Sequence, residues 1–431
     1  MSNNLKLGSL FDGSGGFPLA GSLCGITPVW AAEVEPYPIA VTRSRFPSMK
    51  HLGDISKIKG GEVEPVNIIT FGSPCQDLSV AGKRAGLKHE ANGDEETTRS
   101  GLFMEAVRII KEMREATNGV YPTFALWENV PGAFSSNKGE DFRTVLEELI
   151  KIVEPDAIMP PVPKAGWAYA DSYTGDGWSL AYRVFDAQYW GVPQRRRRIH
   201  LVLDLGGQRA KEILFEREGL RGYFEASSSS WKGTKTDLKN GIRAAEPAGD
   251  RHAVAFQTYQ KVSGPLMANS HPGSYTGQDA FSDMLVAGVD CRNMMEHQEL
   301  YPTLQAKPNG GQSLNFTGAV RVRYLVRMLT PTEWGRLQGF ADLWGIPEQK
   351  DDFTYEEYRF WLEVRNTHAT MNGKATKEYT KPQMLTWYNK LRTDSSEYKM
   401  WGNGIALPPA LYCMQGIVDA LAKKQGEPFV N

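Results

Sequence analysis

The stretch Leu5-Lys6-Leu7-Gly8-Ser9-Leu10-Phe11 is apolar enough to be a buried strand, and Asp12-Gly13-Ser14-Gly15-Gly16 stops it at once. The helical pattern Phe17-Pro18-Leu19-Ala20-Gly21-Ser22-Leu23 follows. A Gly-rich turn between a first strand and a helix opens an open α/β sheet and lets a ligand approach the backbone closely. A plain turn is the competing reading. The glycines do not follow G-x-G-x-x-G and no P-loop Lys is present, so the loop is not built for a pyrophosphate.

A nucleoside cofactor without phosphates fits better, with S-adenosylmethionine as the candidate. The next strand, Pro28-Val29-Trp30-Ala31-Ala32, ends in Glu33, with Glu35 close behind. A carboxylate roughly 20 residues after such a loop is placed to hold a ribose hydroxyl pair. A third segment ends in Gly53-Asp54-Ile55, again a carboxylate at a strand end. Each carboxylate alone is equally a solvated strand-end residue; the series supports the cofactor.

The run Val66-Asn67-Ile68-Ile69-Thr70 reads as another buried strand, broken by Phe71-Gly72-Ser73-Pro74-Cys75-Gln76. A lone Cys is more often a small buried hydrophobe than a reagent. A thiol at the carboxyl end of a parallel strand, however, sits where open sheets bind their ligands. The polar stretch from Leu78 to Ser100, with Gly82-Lys83-Arg84 and Asp94-Glu95-Glu96, is too long for an ordinary connection and reads as a functional lid. After a helix from Leu102 through Ile110, the strand Thr123-Phe124-Ala125-Leu126-Trp127 is expected to end at Glu128-Asn129. Glu128 then shares a sheet edge with Cys75, and partial desolvation there lets a carboxyl hold a proton at neutral pH.

Further on, a helix is expected over Asp141 to Val153 and strands over Trp178–Phe185 and Ile199–Leu203. Gln194-Arg195-Arg196-Arg197-Arg198 enters the last of these. Four consecutive arginines fit a solvated edge or a phosphate patch. Strand alternation would send Arg196 and Arg198 to one side and Arg195 and Arg197 to the other.

With 431 residues the chain can hold one large domain or two ordinary ones. A net charge of -1 excludes a globally basic nucleic-acid binder but not a local basic face. The four cysteines lie far apart without metal-ligand spacing, so neither zinc nor structural disulfides are expected, and no metal site is assigned. Met1 to Gly8 lacks the pattern of a signal peptide and no apolar run is long enough to cross a bilayer. The expectation is a cytoplasmic protein with no membrane partner.

The sequence resembles the DNA (cytosine-5)-methyltransferases of bacteria and their phages. The matching stretches are Phe11-Asp12-Gly13-Ser14-Gly15-Gly16-Phe17, Gly53-Asp54-Ile55, Gly72-Ser73-Pro74-Cys75-Gln76, Glu128-Asn129-Val130 and Gln194 to Arg198. Leu329-Thr330-Pro331-Thr332-Glu333, Arg336-Leu337-Gln338-Gly339-Phe340 and Gly402-Asn403-Gly404-Ile405-Ala406-Leu407-Pro408-Pro409 complete the family's order. The resemblance implies Cys75 as nucleophile, Glu128 on the ring nitrogen and exocyclic amine of cytosine, and Arg196 and Arg198 in the active-site cluster. It implies Phe11, Gly13, Ser14, Gly15, Glu33, Val34, Asp54, Ile55, Pro74, Leu102, Asn403 and Ile405 around S-adenosylmethionine, which leaves as S-adenosylhomocysteine. Val34 stands where the family often has an aromatic. Gln76, Lys83, Arg84, Thr303 and Leu304 are the implied DNA contacts, and the implied partners are double-stranded DNA and a cognate restriction endonuclease, the protein itself being monomeric.

The implied fold is α/β: a Rossmann-like, S-adenosylmethionine-dependent methyltransferase domain formed by residues 1–205 and 400–431. A smaller β-rich target-recognition domain is expected over residues 206–325, where Ser-, Gly- and Pro-rich texture suggests short strands. Within it, Gly264-Pro265-Leu266-Met267-Ala268 and Tyr301-Pro302-Thr303-Leu304-Gln305-Ala306 form a faint internal echo. A hinge segment over 326–399 would open with a capping box at Thr330, Pro331 and Glu333. It would carry a helical insert rich in Tyr, Trp, Lys and Glu, with the question open whether that insert braces the two lobes or touches DNA. An RNA cytosine methyltransferase, a catalytically silent DNA-binding regulator and a nicotinamide-dependent oxidoreductase are the rival readings. The long middle region argues against the first, and the intact Cys75, Glu128, Arg196 and Arg198 set argues against the second.

Overall fold

The computed structural model describes residues 5–73, 101–215, 287–290, 295–297, 318–322, 325–327 and 329–423. The main sheet has eight strands in the order β3-β2-β1-β4-β5-β8-β7-β6. Its parallel part is β1 (Lys6–Leu10), β2 (Thr27–Ala32), β3 (Lys50–His51), β4 (Ile68–Phe71) and β5 (Phe124–Asn129). The remaining strands, β6 (Ala170–Gly175), β7 (Trp178–Asp186) and β8 (Arg197–Asp204), are antiparallel, and β8 pairs against β5. From β1 the chain turns to β2 on one side and later to β4 on the other, so a topological switch point lies between β1 and β4. This is the α/β, Rossmann-like arrangement expected from the first strands.

Burial follows the strand period. Leu7, Ile68, Phe124, Leu126 and Val202 face an apolar cluster built with α1 (Gly16–Leu23) and the last helix. Leu10, Ile69, Phe71, Ala125 and Trp127 face a second cluster with α3 (Leu102–Ala116) and α4 (Glu140–Ile150). Every residue of β4 is buried, as a strand covered on both faces must be. Burying a side chain such as Ile68 or Ile69 contributes about 2 kcal/mol, so this strand cannot be displaced cheaply. Between β2 and β3 runs α2 (Pro36–Arg45), with Pro36 at its first turn.

The second half of the chain returns to this core. The short α5 (Ala210–Leu214) buries Ala210, Ile213 and Leu214 in the first cluster, so residues just past the expected boundary at 205 pack with the main sheet. After Leu329, α6 (Pro331–Leu337) carries the expected capping box, Thr330 and Glu333 each accepting the other's backbone N–H. Next come α7 (Tyr355–Met371), α8 (Lys381–Asn389), α9 (Asp394–Asn403), which runs through the expected boundary at 399, and α10 (Leu407–Lys423). Among the described residues no single helix is long and apolar enough to cross a membrane. The middle region contributes a separate antiparallel sheet, β10-β9-β11-β12, from Ala287–Asp290, Met295–His297, Gly318–Val322 and Leu325–Arg327. Pro74, Cys75, Gln76, Lys83, Arg84, Thr303 and Leu304 lie outside the described residues, as do the lid from Leu78 to Ser100 and the internal echo.

Candidate active site

Because β1, β2, β3, β4 and β5 are parallel, their carboxyl ends share one edge, and antiparallel β8 begins at that same edge. Phe11, Glu33, Asp54, Ser73, Glu128 and Arg198 are thereby gathered from distant parts of the sequence. Two neighbouring subsites result.

The first forms around the Gly-rich loop. Phe11 adopts φ 56°, Gly13 φ 55° and Gly15 φ 75°, left-handed conformations that are unusual for a residue as bulky as Phe11. Asp12 N–H donates to the Ala32 carbonyl at 3.1 Å and Gly13 N–H to Glu33 Oε2 at 2.8 Å. Glu33 Oε1 accepts from the Val34 and Glu35 amides at 2.7 and 2.9 Å. Burial pushes the Glu33 carboxyl up, and these backbone donors hold against that shift. Glu33 therefore clamps the loop to the end of β2 before any ligand is considered.

Among the described residues, a Cβ added at Gly13 would meet only the Phe11 carbonyl, at 3.9 Å, so the loop is open on that side. Below, the fit is tight. A Cβ at Gly15 would lie 2.8 Å from Thr42 of α2, and one at Gly16 would lie 2.5 Å from Ile405. Ile405 is thus a buried support under the start of α1, reaching the loop through Gly16. Asn403 is exposed beside it, while Gly404 packs against Ser14. Asp54 uses one oxygen to cap the 3-10 turn Ile55–Lys57 through Ser56, and Ile55 is buried in the second cluster. Val34 is half-buried, and so is Leu102, which packs against the second cluster at the start of α3.

Among the described residues, two buried polar atoms at the loop have no hydrogen-bond partner, Asp12 Oδ2 and Ser14 Oγ. Asp12 Oδ1 accepts from Ser9 at 2.7 Å, yet burial raises its carboxyl to about 7. Open backbone, a clamped carboxylate and polar atoms without a partner among the described residues fit a polar nucleoside ligand.

The second subsite lies at the ends of β4, β5 and β8. Glu128 belongs to β5 itself, rather than following it, and is buried; Arg198 Nε approaches its Oε1 at 3.2 Å. Among the described residues that oxygen has no aligned hydrogen bond, so the contact with Arg198 is a buried ion pair. Burial pushes the Glu128 carboxyl up, opposed by the charges of Arg198 and Arg196. A Cβ at Gly72 would stand 3.5 Å from Glu128 Oε2. The last described residue before Pro74 and Cys75 is anchored to β5 as well. Asn129 Nδ2 donates to the Ser73 carbonyl at 3.0 Å, and Trp127 Nε1 to Ser73 Oγ at 3.3 Å. The segment leading to Cys75 is therefore bound to the strand that bears Glu128.

The arginines divide as alternation requires. Arg196 is buried and Arg198 half-buried on the Glu128 side, whereas Arg197 is exposed and lies 4.6 Å over the Tyr169 ring. The pair on the Glu128 side is not equivalent. Arg198 meets the carboxylate, whereas Arg196 Nη2 donates to the Gly402 carbonyl at 3.3 Å and also to the Gly404 carbonyl. Arg196 thus ties this subsite to the turn that packs on Ser14. Sequence reasoning also missed His200, which stands opposite Glu128 in the ladder and whose ring burial lowers to about 3, making it a neutral neighbour of Arg198. Its only signal was its place two residues after Arg198 in the alternating run.

A family model described as C-5 cytosine-specific DNA methylase matches residues 5–152 and 169–359 of the chain. The chain is 26% identical to a protein named DNA N-6-adenine-methyltransferase from Escherichia phage P1, over 98% of its own length and 62% of the phage protein's. It is 25% identical to Type II methyltransferase M1.ScrFI of Lactococcus lactis subsp. cremoris, covering 84% of this chain and 76% of that one. Type II methyltransferase M.Bsp6I of Bacillus sp. (strain RFL6) is 24% identical, with 82% and 93% covered.

Proposed function

The chain belongs to the C-5 cytosine-specific DNA methylase family, and on that premise we propose that it methylates carbon 5 of cytosine within a specific duplex DNA sequence. The observation that carries this reading is the buried Glu128–Arg198 pair facing Gly72, with Ser73 bound to the same strand just before Cys75. S-adenosylmethionine, when bound, supplies an electrophilic methyl group on a cationic sulfur and leaves as S-adenosylhomocysteine. In this reading Phe11, Gly13, Ser14, Gly15, Glu33, Asp54 and Asn403 would hold it, with Ile405 supporting from below.

Carbon 5 of cytosine is a poor nucleophile. Cys75, as a thiolate, forms a bond to carbon 6, and the displaced ring electrons run toward the ring nitrogen. Glu128 in its acid form delivers a proton there, and Arg198 stabilises the charge that develops on the ring. Carbon 5 is then nucleophilic toward the methyl group. Loss of the carbon 5 proton to a base, departure of the Cys75 sulfur as thiolate and return of the ring-nitrogen proton to Glu128 restore the aromatic ring and the starting protein. A paired cytosine hides both faces, so the target base is flipped out of the duplex. Duplex DNA, bound by a monomer in the cytosol, is the partner in this reading, with a companion restriction endonuclease as its counterpart.

The phage P1 relative's name refers to the N6 position of adenine. Methylating an exocyclic amine needs no addition to the ring and leaves no use for a thiol beside an acid. A duplex carrying 5-fluorocytosine distinguishes the readings, because fluorine at carbon 5 blocks the proton loss that releases the enzyme. Wild-type protein with S-adenosylmethionine is expected to form a complex with this DNA that survives denaturation, and Cys75→Ser is expected to form none. A wild-type protein that methylates ordinary DNA yet never traps on the fluorinated duplex overturns the covalent route.

A further inference from the structure

The insert that follows Trp344 closes its apolar face on α2, and its Phe360 ring also meets His51 at the end of β3. Ile39 and Ala40 of α2 are buried with Trp361 and Val364 of α7 and Met384 and Tyr388 of α8. Arg43 lies 4.1 Å over the Phe360 ring, and Arg45 donates to the Trp344 and Ile346 carbonyls at 3.1 and 3.0 Å. On its other side α2 supports the Gly-rich loop through Thr42 and Gly15. Its first residues follow directly from Glu33, the carboxylate that clamps Gly13.

The joint between these two sides is Glu35. It is the N-cap residue of α2 but makes no capping hydrogen bond through its side chain. Its carboxylate turns instead to the insert, meeting Lys399 Nζ of α9 at 2.8 Å and His368 Nε2 of α7 at 3.6 Å. Burial pushes the Glu35 carboxyl up, and the contacts with His368 and Lys399 overcome that and hold it down at about 2. Its amide meanwhile donates to Glu33 Oε1. A single residue therefore faces the clamp with its backbone and the insert with its side chain. Lys399 and His368 also compensate a negative charge that would otherwise repel Glu33 two residues away.

We propose that the insert spanning 347–399 is a cofactor-pocket brace, in which Lys399 and His368 act through Glu35 as positioning residues for Glu33. This rests on the reading of the Gly-loop subsite as a S-adenosylmethionine site, and it assigns the insert to cofactor affinity rather than to DNA contact.

The test is calorimetric titration of the full-length protein with S-adenosylhomocysteine, alongside gel-shift titration with its duplex DNA. Lys399→Met and Glu35→Gln are each expected to raise the dissociation constant for S-adenosylhomocysteine about fivefold, the scale of a partly exposed ion pair. DNA affinity should be unchanged. The exchanged pair Glu35→Lys with Lys399→Glu is expected to recover cofactor affinity above either single change, which a merely structural role would not produce. Single variants that bind S-adenosylhomocysteine like wild type, or that lose DNA affinity instead, overturn the brace. Wild-type protein that binds no S-adenosylhomocysteine sinks the underlying site assignment itself, a separately readable failure.

Discussion

Glu33 and Glu128 stand at the same edge of one sheet, and burial pushes both carboxyls up, yet their surroundings prepare them for opposite work. Glu33 accepts three backbone N–H groups, from Gly13, Val34 and Glu35. Fixed amide donors favour the ionised form and lock the side chain in place, so Glu33 is a rigid acceptor suited to hydroxyl groups. Among the described residues Glu128 meets no such amide donors; a guanidinium stands at 3.2 Å and its Oε1 lacks an aligned hydrogen bond there. A carboxyl in that setting can take and give a proton at modest cost. One sheet edge thus yields an anchor and an acid, separated by how many main-chain donors each meets.

The contrast breaks most sharply at Glu128. Glu128→Gln keeps the shape but cannot exchange a proton, and methyl transfer should fall by ~10²–10⁴-fold with S-adenosylhomocysteine affinity intact. The same logic fixes a pH dependence. Since burial raises the Glu128 pKa, its acid form persists to higher pH than that of an ordinary glutamate, and kcat/KM should decline as pH rises through that pKa. The decline should vanish in Glu128→Gln, measured against a constant-ionic-strength buffer series.

Asp12 tests the rule at a third carboxyl, whose Oδ2 has no partner among the described residues. Its pKa rises from 3.8 to about 7, so its stabilising contribution is fully present below about 4 and is lost as pH climbs through 7. Asp12→Asn should flatten that slope, recovering up to ~4 kcal/mol at pH 8 in denaturant titration, an upper figure because the site relaxes. Glu33→Ala releases three amides at once. It should weaken S-adenosylhomocysteine binding by about 10–100-fold while leaving DNA binding near wild type.

Much of this site was legible in the sequence because strand ends announce themselves: an apolar run, then Glu33 or Glu128, cannot place its carboxylate far from the sheet edge. The capping box at Thr330 and the split of the arginines followed from equally local rules. What local rules missed was the difference between Arg196 and Arg198. Alternation puts both on one side, but the carbonyls that capture Arg196 belong to a turn 206 and 208 residues further on. The docking of the insert on α2 was hidden for the same reason. The periodicity of α7 shows an apolar face and says nothing of what covers it. Glu128 itself sits inside β5, since pairing with β8 continues through Glu128 and Asn129.

The most direct test of the central claim, an acid and a guanidinium set for carbon 5 of cytosine, is the identity of the methylated nucleoside. Purified protein is incubated with duplex DNA and methyl-labelled S-adenosylmethionine, and the DNA is digested to nucleosides and separated. Label in 5-methylcytosine, lost in Glu128→Gln and in Cys75→Ser, is the predicted result. Label in N6-methyladenine, or in 5-methylcytosine at undiminished rate from the Glu128→Gln protein, would contradict it.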